Sequence, residues 1–163
     1  MAVRPKEVLK AQGTYPLPNE PGRWNMPKVA GSVTIDAPIE KVFDSAADPQ
    51  VIAQISSGAL VGMTGEKGEL GSYADWEYLK MRSRTTVSEV DRPSRLVQTM
   101  TGPMPGRWIW DLKQDGKAVR VDFCIEYSFL SGIPGKIVNR LLRGKMNRDM
   151  DKTMYGLKSH CEK

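Results

Sequence analysis

The chain is poor in the residues that build disulfide frameworks and metal centres. Its 163 residues include only two cysteines, Cys124 and Cys161, and one histidine, His160. Two cysteines are too few for a disulfide-stapled fold, so we expect both to be buried, reduced thiols. One histidine and two separated cysteines form no ligand cluster for zinc or iron. We therefore expect no metal site and no bound cofactor.

Long hydrophobic runs are also missing. No apolar stretch approaches the roughly 18 residues that a transmembrane helix needs. The first 27 residues lack the continuous apolar centre of a secretory signal peptide, and the chain has no Asn-x-Ser/Thr glycosylation sequon. These absences favour a cytoplasmic protein.

The familiar signatures of catalysis are absent as well. The chain has no Gly-x-Ser-x-Gly elbow, and its glycine-rich stretch at 62–68 lacks the Gly-Lys-Ser/Thr ending of a P-loop. Asp75 and Glu77 share one face of a predicted strand, where paired carboxylates could act in acid-base catalysis. Arg82 and Arg84 could hold an anion. Surface charge is the simpler interpretation of all four side chains.

Charge is distributed unevenly along the chain. The whole chain has a net charge of +5, and residues 133–163 alone carry eight basic and three acidic side chains. A solvated polar helix face would explain this excess. The alternative is a surface that attracts an anionic membrane or an acidic protein partner. Nucleic acid is disfavoured as a partner because no recognised binding motif accompanies the charge.

Two parts of the chain differ in their pattern. Residues 1–27 contain five prolines and no sustained period. We interpret them as an irregular N-terminal arm, with a short helix near residues 7–11 and Trp24 as an anchor on the body. Residues 28–163 are regular and long enough to form one domain with a hydrophobic core.

The regular part begins with a strand and two short helices. Apolar residues alternate over 29–35, which predicts a half-buried strand. Pro38 suits a first helical turn, and residues 39–47 place apolar side chains on one helix face. Pro49 then opens a second short helix. Six further strands are predicted at about 59–64, 72–80, 83–90, 95–101, 107–113 and 118–128, with a tight connection near Met81-Arg82.

The last two strands allow a prediction of register. A two-residue turn at Asp115-Gly116 would place Gln114 opposite Lys117. The pairs that follow are Leu112 with Val119, Asp111 with Arg120, Trp110 with Val121 and Trp108 with Phe123. The loop at 102–106 would similarly place Met100 opposite Trp108 and Gln98 opposite Trp110. A buried Gln98 amide would then need partners from the protein, from water or from a ligand.

A long helix is predicted from about residue 136 to Glu162. At 1.5 Å per residue it would extend roughly 40 Å, enough to cross a small domain. Gly144 and Gly156 are points at which it could bend. Its apolar stripe comprises Ile137, Val138, Leu141, Leu142, Met146, Met150, Met154, Leu157 and Cys161.

Aromatic and methionine side chains supply the candidate binding site. The sheet contributes Trp76, Tyr78, Gln98, Met100, Trp108, Trp110, Phe123 and Tyr127, and the long helix contributes Leu142, Met146, Met150 and Met154. A curved sheet closed by one long helix need not fill its concave side. The methionines would then form an adaptable wall, because unbranched thioethers conform to varied apolar shapes. Ordinary core packing is the alternative interpretation.

The order of the elements resembles a known superfamily. The stretch Ser32-Val33-Thr34-Ile35-Asp36-Ala37-Pro38-Ile39-Glu40-Lys41-Val42-Phe43, with Asp48-Pro49 after it, is similar to the opening of START/polyketide-cyclase (SRPBCC) proteins. The strand at 118–127 and the helix end at Leu157-Lys158 add to the resemblance, which covers residues 28–163. It implies an α+β helix-grip fold, in which a curved seven-stranded antiparallel sheet wraps around the long C-terminal helix.

The resemblance also implies a function class. Members of the superfamily hold hydrophobic small molecules between sheet and helix, so residues 28–163 are expected to be a ligand-binding domain for a lipid, a quinone or an aromatic, polyketide-like metabolite. Carrier or sensor is the first hypothesis. An aromatase/cyclase-type enzyme is the second, and it requires ionisable side chains in the cavity. The third is an accessory module that docks on a membrane or an enzyme through its basic helix. The superfamily shares no single catalytic motif, so no catalytic residue follows from the resemblance.

Overall fold

The computed structural model describes residues 27–128 and 135–163, with side chains from residue 140 onward in the second segment. The predicted arm, with its short helix and Trp24, lies outside the described residues except for Pro27. The side chains of Ile137 and Val138 lie outside them as well.

Seven strands and three helices make up the described fold. In chain order they are β1 (Lys28–Ile35), α1 (Ile39–Ala47), α2 (Pro49–Ile55), β2 (Ala59–Thr64), β3 (Tyr73–Tyr78), β4 (Met81–Asp91), β5 (Arg95–Thr101), β6 (Gly106–Asp115), β7 (Ala118–Tyr127) and α3 (Gly135–Cys161). The strands form one antiparallel sheet in the order β1-β7-β6-β5-β4-β3-β2. The predicted α+β helix-grip fold is confirmed.

The join between β1, α1 and α2 follows from its local chemistry. Pro38 lies at the N-cap of α1, one position before the predicted first turn, and Phe43 buries the helix against the sheet. Asp48 ends α1 and caps α2, because its carboxylate accepts a hydrogen bond of 2.9 Å from the Gln50 backbone N–H. Pro49 occupies the first turn of α2, where a missing N–H costs nothing.

Helix α3 packs closely against β1. A Cβ atom added to Gly31 would lie 2.8 Å from the Met150 Cγ atom, so only glycine allows this approach of helix to strand. Leu157 is fully buried on the same side of the helix. Leu141, predicted to belong to the apolar stripe, is instead 78% exposed. The reason is geometric: at 3.6 residues per turn, Leu141 lies on the opposite side of the helix from Met150.

The predicted register between β6 and β7 is wrong by two residues. Asp115 pairs with Ala118, so the turn consists of Gly116 and Lys117. Gly116 has a φ of +61° and occupies the first central position, as a type II′ turn requires. The observed pairs are therefore Leu112 with Val121, Trp110 with Phe123 and Trp108 with Ile125, and Asp111 lies opposite Asp122.

The same slip occurs between β5 and β6. Gln98 lies opposite Trp108 rather than Trp110, and Met100 lies opposite Gly106 rather than Trp108, because Gly106 already belongs to β6. The predicted Asp111–Arg120 pair is replaced as well. Asp111 accepts a hydrogen bond of 2.6 Å from Arg95. Both registers are shifted by two residues, an even number, so each side chain stays on the face of the sheet that was predicted for it.

The two cysteines are free thiols. Cys161 is buried, whereas Cys124 is only half-buried, so the prediction that both are buried is wrong for Cys124. Burial raises the pKa of both thiols, which keeps them protonated near neutral pH.

Candidate functional site

A cavity of about 100 Å³ lies between the inner face of the sheet, α2 and α3. Most of its wall is apolar. The apolar lining consists of Val29, Ile52, Trp76, Met100, Met104, Trp108, Phe123, Ile125, Met146 and Met150. Such a space is below the roughly 300–1,000 Å³ of pockets for drug-sized ligands.

Aromatic rings form the sheet side of the cavity. The ring centroids of Trp76 and Trp108 are 5.7 Å apart, and those of Trp108 and Phe123 are 5.9 Å apart in an edge-to-face arrangement. The Trp76 indole N–H donates to the Thr85 hydroxyl over 3.0 Å, which fixes that ring. Trp110 stacks behind Phe123 at 3.6 Å and does not line the cavity. The floor is thus rigid and has flat apolar faces to offer a ligand.

Polar side chains occupy one part of the wall. Asp149 on α3 is at their centre: its Oδ1 atom accepts a hydrogen bond from the Ser57 hydroxyl (2.9 Å), and its Oδ2 atom accepts from the Tyr78 hydroxyl (2.5 Å) and from the Lys145 ammonium (2.9 Å). The Thr153 hydroxyl donates to the Asp149 backbone oxygen over 2.8 Å. We call these five residues the Asp149 cluster. All except Lys145 line the cavity, together with Gly58, Ser56 and Ser83.

The turn after β3 helps to position Tyr78. Leu79 and Lys80 form the turn with φ values of 51° and 61°, and Tyr78 pairs with Met81. The connection therefore precedes the predicted one at Met81-Arg82, which lies inside β4. Two positive φ values twist the hairpin tightly and hold Tyr78 at the strand end, facing α3.

The cluster fixes the charge states of its members. Burial of Tyr78, aided by its hydrogen bond to Asp149, raises the pKa of the phenol far above its ordinary value. Burial alone would raise the pKa of the Asp149 carboxyl, but the hydrogen bonds from Tyr78, Lys145 and Ser57 outweigh it and lower the pKa. Near neutral pH, Tyr78 therefore keeps its proton and Asp149 is a carboxylate.

The structure places the predicted site residues in two groups. Seven line the cavity: Trp76, Tyr78, Met100, Trp108, Phe123, Met146 and Met150. Five do not: Gln98, Trp110, Tyr127, Leu142 and Met154. Trp110, Tyr127 and Met154 are packed in the hydrophobic core, and Leu142 packs against it. That the first group holds a ligand stays a prediction.

Of the polar part of the wall, only Tyr78 was predicted from the sequence. Asp149 and Thr153 interrupt the apolar stripe of α3, three residues after Met146 and Met150 respectively, and therefore lie on the same helix face. Polar residues inside an apolar stripe were the available signal. Ser57 offered no such signal, since serine is common in the residues that follow a short helix.

The four charged residues proposed for catalysis or anion binding do not face the cavity. Asp75 and Arg84 form an exposed pair with an N–O distance of 2.7 Å, and Glu77 and Arg82 form another at 3.5 Å. On β3, Asp75 and Glu77 alternate with the cavity-lining Trp76 and Tyr78. Arg84 and Arg82 lie opposite these two carboxylates on β4, so all four are on the outer face of the hairpin. None of the four can act on a ligand in the cavity.

Gln98 lies beside the cavity, in a tighter environment. It is buried, and within the described chain its Oε1 atom and the indole N–H groups of Trp108 and Trp110 have no hydrogen-bond partner. A crevice of about 10 Å³ adjoins Gln98 and Thr85. That volume is close to the space of one water molecule, which could satisfy the Gln98 carbonyl.

The solvent face of α3 is basic with two exposed apolar side chains. Arg140, Arg143 and Arg148 are exposed and make no ion pair with a described residue. Leu141 is 78% and Tyr155 69% exposed. Within residues 27–128 and 135–163, no helix has the length and apolar character to cross a membrane. The same residues contain no group of histidine, cysteine and carboxylate side chains able to hold a metal ion.

The cavity between a curved sheet and a long helix leads to the comparison with known families. The family described as polyketide cyclase/dehydrase and lipid transport matches residues 26–162. The chain belongs to this family. The predicted START/polyketide-cyclase resemblance is thereby confirmed. No curated protein sequence matches this chain.

Several solved structures are similar to this chain in fold. The protein TTHA0849 from Thermus thermophilus has a TM-score of 0.64 at 18% identity, over 83% of this chain and 97% of that one. The Aha1 dimer from Colwellia psychrerythraea has a TM-score of 0.61 at 15% identity, over 84% and 97%. DynU16, from the dynemicin biosynthetic locus, has a TM-score of 0.56 at 19% identity, over 83% of this chain and 48% of that one. At these identities the likeness shows the fold alone.

Proposed function

We propose that this protein is a carrier or sensor that binds a hydrophobic small molecule in the cavity between the sheet and α3. The observation that carries the proposal is a cavity with an aromatic floor, a methionine wall and a single polar region. Binding sites for small molecules have this composition: mainly apolar walls with a few placed polar groups. The family's description, which joins cyclase and lipid-transport roles, supports the same class of ligand.

The size of the cavity bears on the ligand. About 100 Å³ is less than the roughly 150 Å³ of an engineered apolar cavity that binds benzene, so a ligand with two or more rings has to move part of the wall. A longer lipid or a quinone would have to displace part of the wall. The methionine side chains of the wall are able to move, because each has three rotatable bonds and no branch; they are Met100, Met104, Met146 and Met150.

A fluorescence titration tests the proposal. The neutral three-ring dye N-phenyl-1-naphthylamine brightens in apolar surroundings and so reports binding. We expect it to bind wild-type protein saturably as the methionine side chains of the wall move aside. Gly58→Leu should abolish it: Gly58 lines the cavity, and an added Cβ atom would contact the Trp76 ring at 3.5 Å without a clash. The larger side chain would then extend over the aromatic floor.

The matched control is Gly62→Leu on the neighbouring strand. An added Cβ atom at Gly62 meets nothing within 4 Å, and the residue does not line the cavity. This variant should bind the dye as wild type does. If wild-type protein shows no saturable binding, or if Gly58→Leu binds as well as Gly62→Leu, the proposed site is wrong.

Cyclase-type catalysis fits this site less well. Among the described residues, the ionisable groups that line the cavity are Tyr78 and Asp149. An efficient acid or base has a pKa near the working pH. Burial raises the pKa of Tyr78 and hydrogen bonds lower that of Asp149, so the two are shifted away from neutrality in opposite directions. This favours binding over proton transfer.

Docking on an anionic membrane is a second candidate role, favoured by the solvent face of α3. Basic residues near a bilayer each contribute about 1 kcal/mol of attraction to anionic lipid. The exposed Leu141 and Tyr155 side chains could insert at the interface. Sedimentation with phosphatidylserine-containing vesicles tests this, and we expect binding that weakens as salt rises. Binding that is insensitive to salt, or equal binding to phosphatidylcholine vesicles, would rule out the electrostatic form.

A further inference from the structure

We propose that the cavity selects ligands that carry a hydrogen-bond donor, such as a phenol or an alcohol, and rejects ligands that carry a free carboxylate. This inference rests on the proposed function and specifies its ligand class. The feature that carries it is the direction of the hydrogen bonds in the Asp149 cluster.

Each hydroxyl group of the Asp149 cluster already donates its proton in a hydrogen bond within the cluster. Ser57 and Tyr78 donate to the Asp149 carboxylate, and Thr153 donates to the Asp149 backbone oxygen. A hydroxyl has one proton but two lone pairs, so each of these groups has only acceptor capacity left. Ser56 and Ser83 can act as donor or acceptor and set no preference.

The carboxylate has acceptor capacity left as well. Asp149 receives three side-chain hydrogen bonds, from Ser57, Tyr78 and Lys145. An ionised carboxylate offers about four lone-pair sites. One site remains for a donor on a ligand, and a bond to a charged acceptor is about twice as strong as a neutral one.

The cation of the cluster does not reverse this preference. Lys145 donates to Asp149 and lies over the Tyr78 ring, with its Nζ atom 5.3 Å from the ring centroid. It does not line the cavity, whereas Asp149 does. A ligand carboxylate would therefore meet the negative side of the pair. In the apolar surroundings of the cavity, two like charges repel more strongly than in water.

The experiment uses wild-type protein and ligands that differ in one group. 2-Naphthol, 2-methoxynaphthalene and 2-naphthoate share one ring system and carry a donor, an acceptor only and a negative charge. Each is titrated against bound N-phenyl-1-naphthylamine at pH 7. We expect 2-naphthol to displace the dye at about one tenth of the concentration that the methyl ether needs, as a hydrogen bond to a charged acceptor allows. The carboxylate should be weaker than the ether.

Asp149→Asn tests which residue sets the preference. It removes the negative charge and introduces donor N–H groups, so the advantage of 2-naphthol over 2-naphthoate should shrink at least about tenfold. The control is Asp151→Asn, which makes the same substitution at an exposed position two residues away on α3. It should keep the wild-type order.

The outcomes separate the two proposals. If all three ligands displace the dye equally, or the carboxylate displaces it best, the inference is wrong while cavity binding stands. If the order is as expected but Asp149→Asn leaves it unchanged, the assignment to the cluster is wrong. Because the ligand series uses wild-type protein, it decides the inference even if Asp149→Asn fails to fold. If the dye does not bind at all, both proposals are wrong.

Discussion

Replacing Met150 by alanine should enlarge the cavity and change which ligands it prefers. Met150 is 3% exposed and lines the cavity from α3. The substitution removes the γ-methylene, the sulfur and the terminal methyl group. At about 0.8 kcal/mol for each methylene-sized group, the lost transfer free energy is about 2.4 kcal/mol. The new space adds a cavity penalty, so we expect a fall of about 2–4 kcal/mol in the free energy of unfolding.

Met154→Ala is the matched control. Met154 is on the same helix and is also 3% exposed, but it packs against β1 near Gly31 and does not line the cavity. The stability loss should be similar in the two variants. Only Met150→Ala should gain affinity for a larger ligand.

The assay combines urea denaturation with ligand binding. Dissociation constants for 2-naphthol and the three-ring 9-phenanthrol are measured on both variants and on wild type. In Met150→Ala, the ratio of the two constants should shift toward the larger ligand by about tenfold, or 1.4 kcal/mol. An equal shift of the ratio in Met154→Ala would refute the reasoning. So would a fall of less than about 1 kcal/mol in the free energy of unfolding of Met150→Ala, because truncating a buried side chain costs more than that.

Three further predictions concern the cluster and the helix. Tyr78→Phe should lower the free energy of unfolding by about 1–2 kcal/mol in urea titrations, because Asp149 loses one of its donors; no loss would mean that the hydrogen bond is not formed. Because hydrogen bonds lower the pKa of Asp149 below its unfolded value, its stabilisation is present above about pH 4 and is lost as pH falls through the folded pKa. The stability gap between wild type and Asp149→Asn should therefore narrow in acid, and a gap that widens there contradicts the assignment. Finally, Gly144→Ala should raise the melting temperature, since alanine favours helix by about 0.8–1 kcal/mol. Gly156→Ala should lower it, because the new Cβ atom would lie 2.7 Å from the Cβ atom of Ile55; equal gains in the two variants would refute the predicted contact.

The sequence predicted the order and type of the elements because their signals are local. Pro38, Asp48 and Pro49 mark helix ends by their own backbone and capping chemistry. The predicted register between β6 and β7 was wrong for an equally physical reason. Gly116 fits either central position of a tight turn, and the two alternatives differ by two residues. Side chains alternate with a period of two, so the hydrophobic pattern fits both registers equally well.

The candidate site was predicted only in part. The inner faces of strands and helix follow from periodicity, which is why Trp76, Trp108 and Met150 were candidates. Whether a side chain borders a void or packs behind another ring depends on three-dimensional geometry. Trp108 and Trp110 have the same pattern, yet only Trp108 lines the cavity. The Asp149 cluster joins residues up to 92 positions apart in the chain, and no local signal pairs them.

The placement of a ligand between the aromatic floor and α3 is tested most directly by methyl NMR. Protein labelled at the methionine methyl carbons is titrated with 2-naphthol, and intermolecular nuclear Overhauser effects are recorded. Of the seven methionines that the structure describes, Met100, Met104, Met146 and Met150 line the cavity, whereas Met63, Met81 and Met154 do not. The account predicts contacts from the naphthol ring to methyl groups of the first set and none to Met154. Contacts confined to Met63, Met81 or Met154 would contradict it.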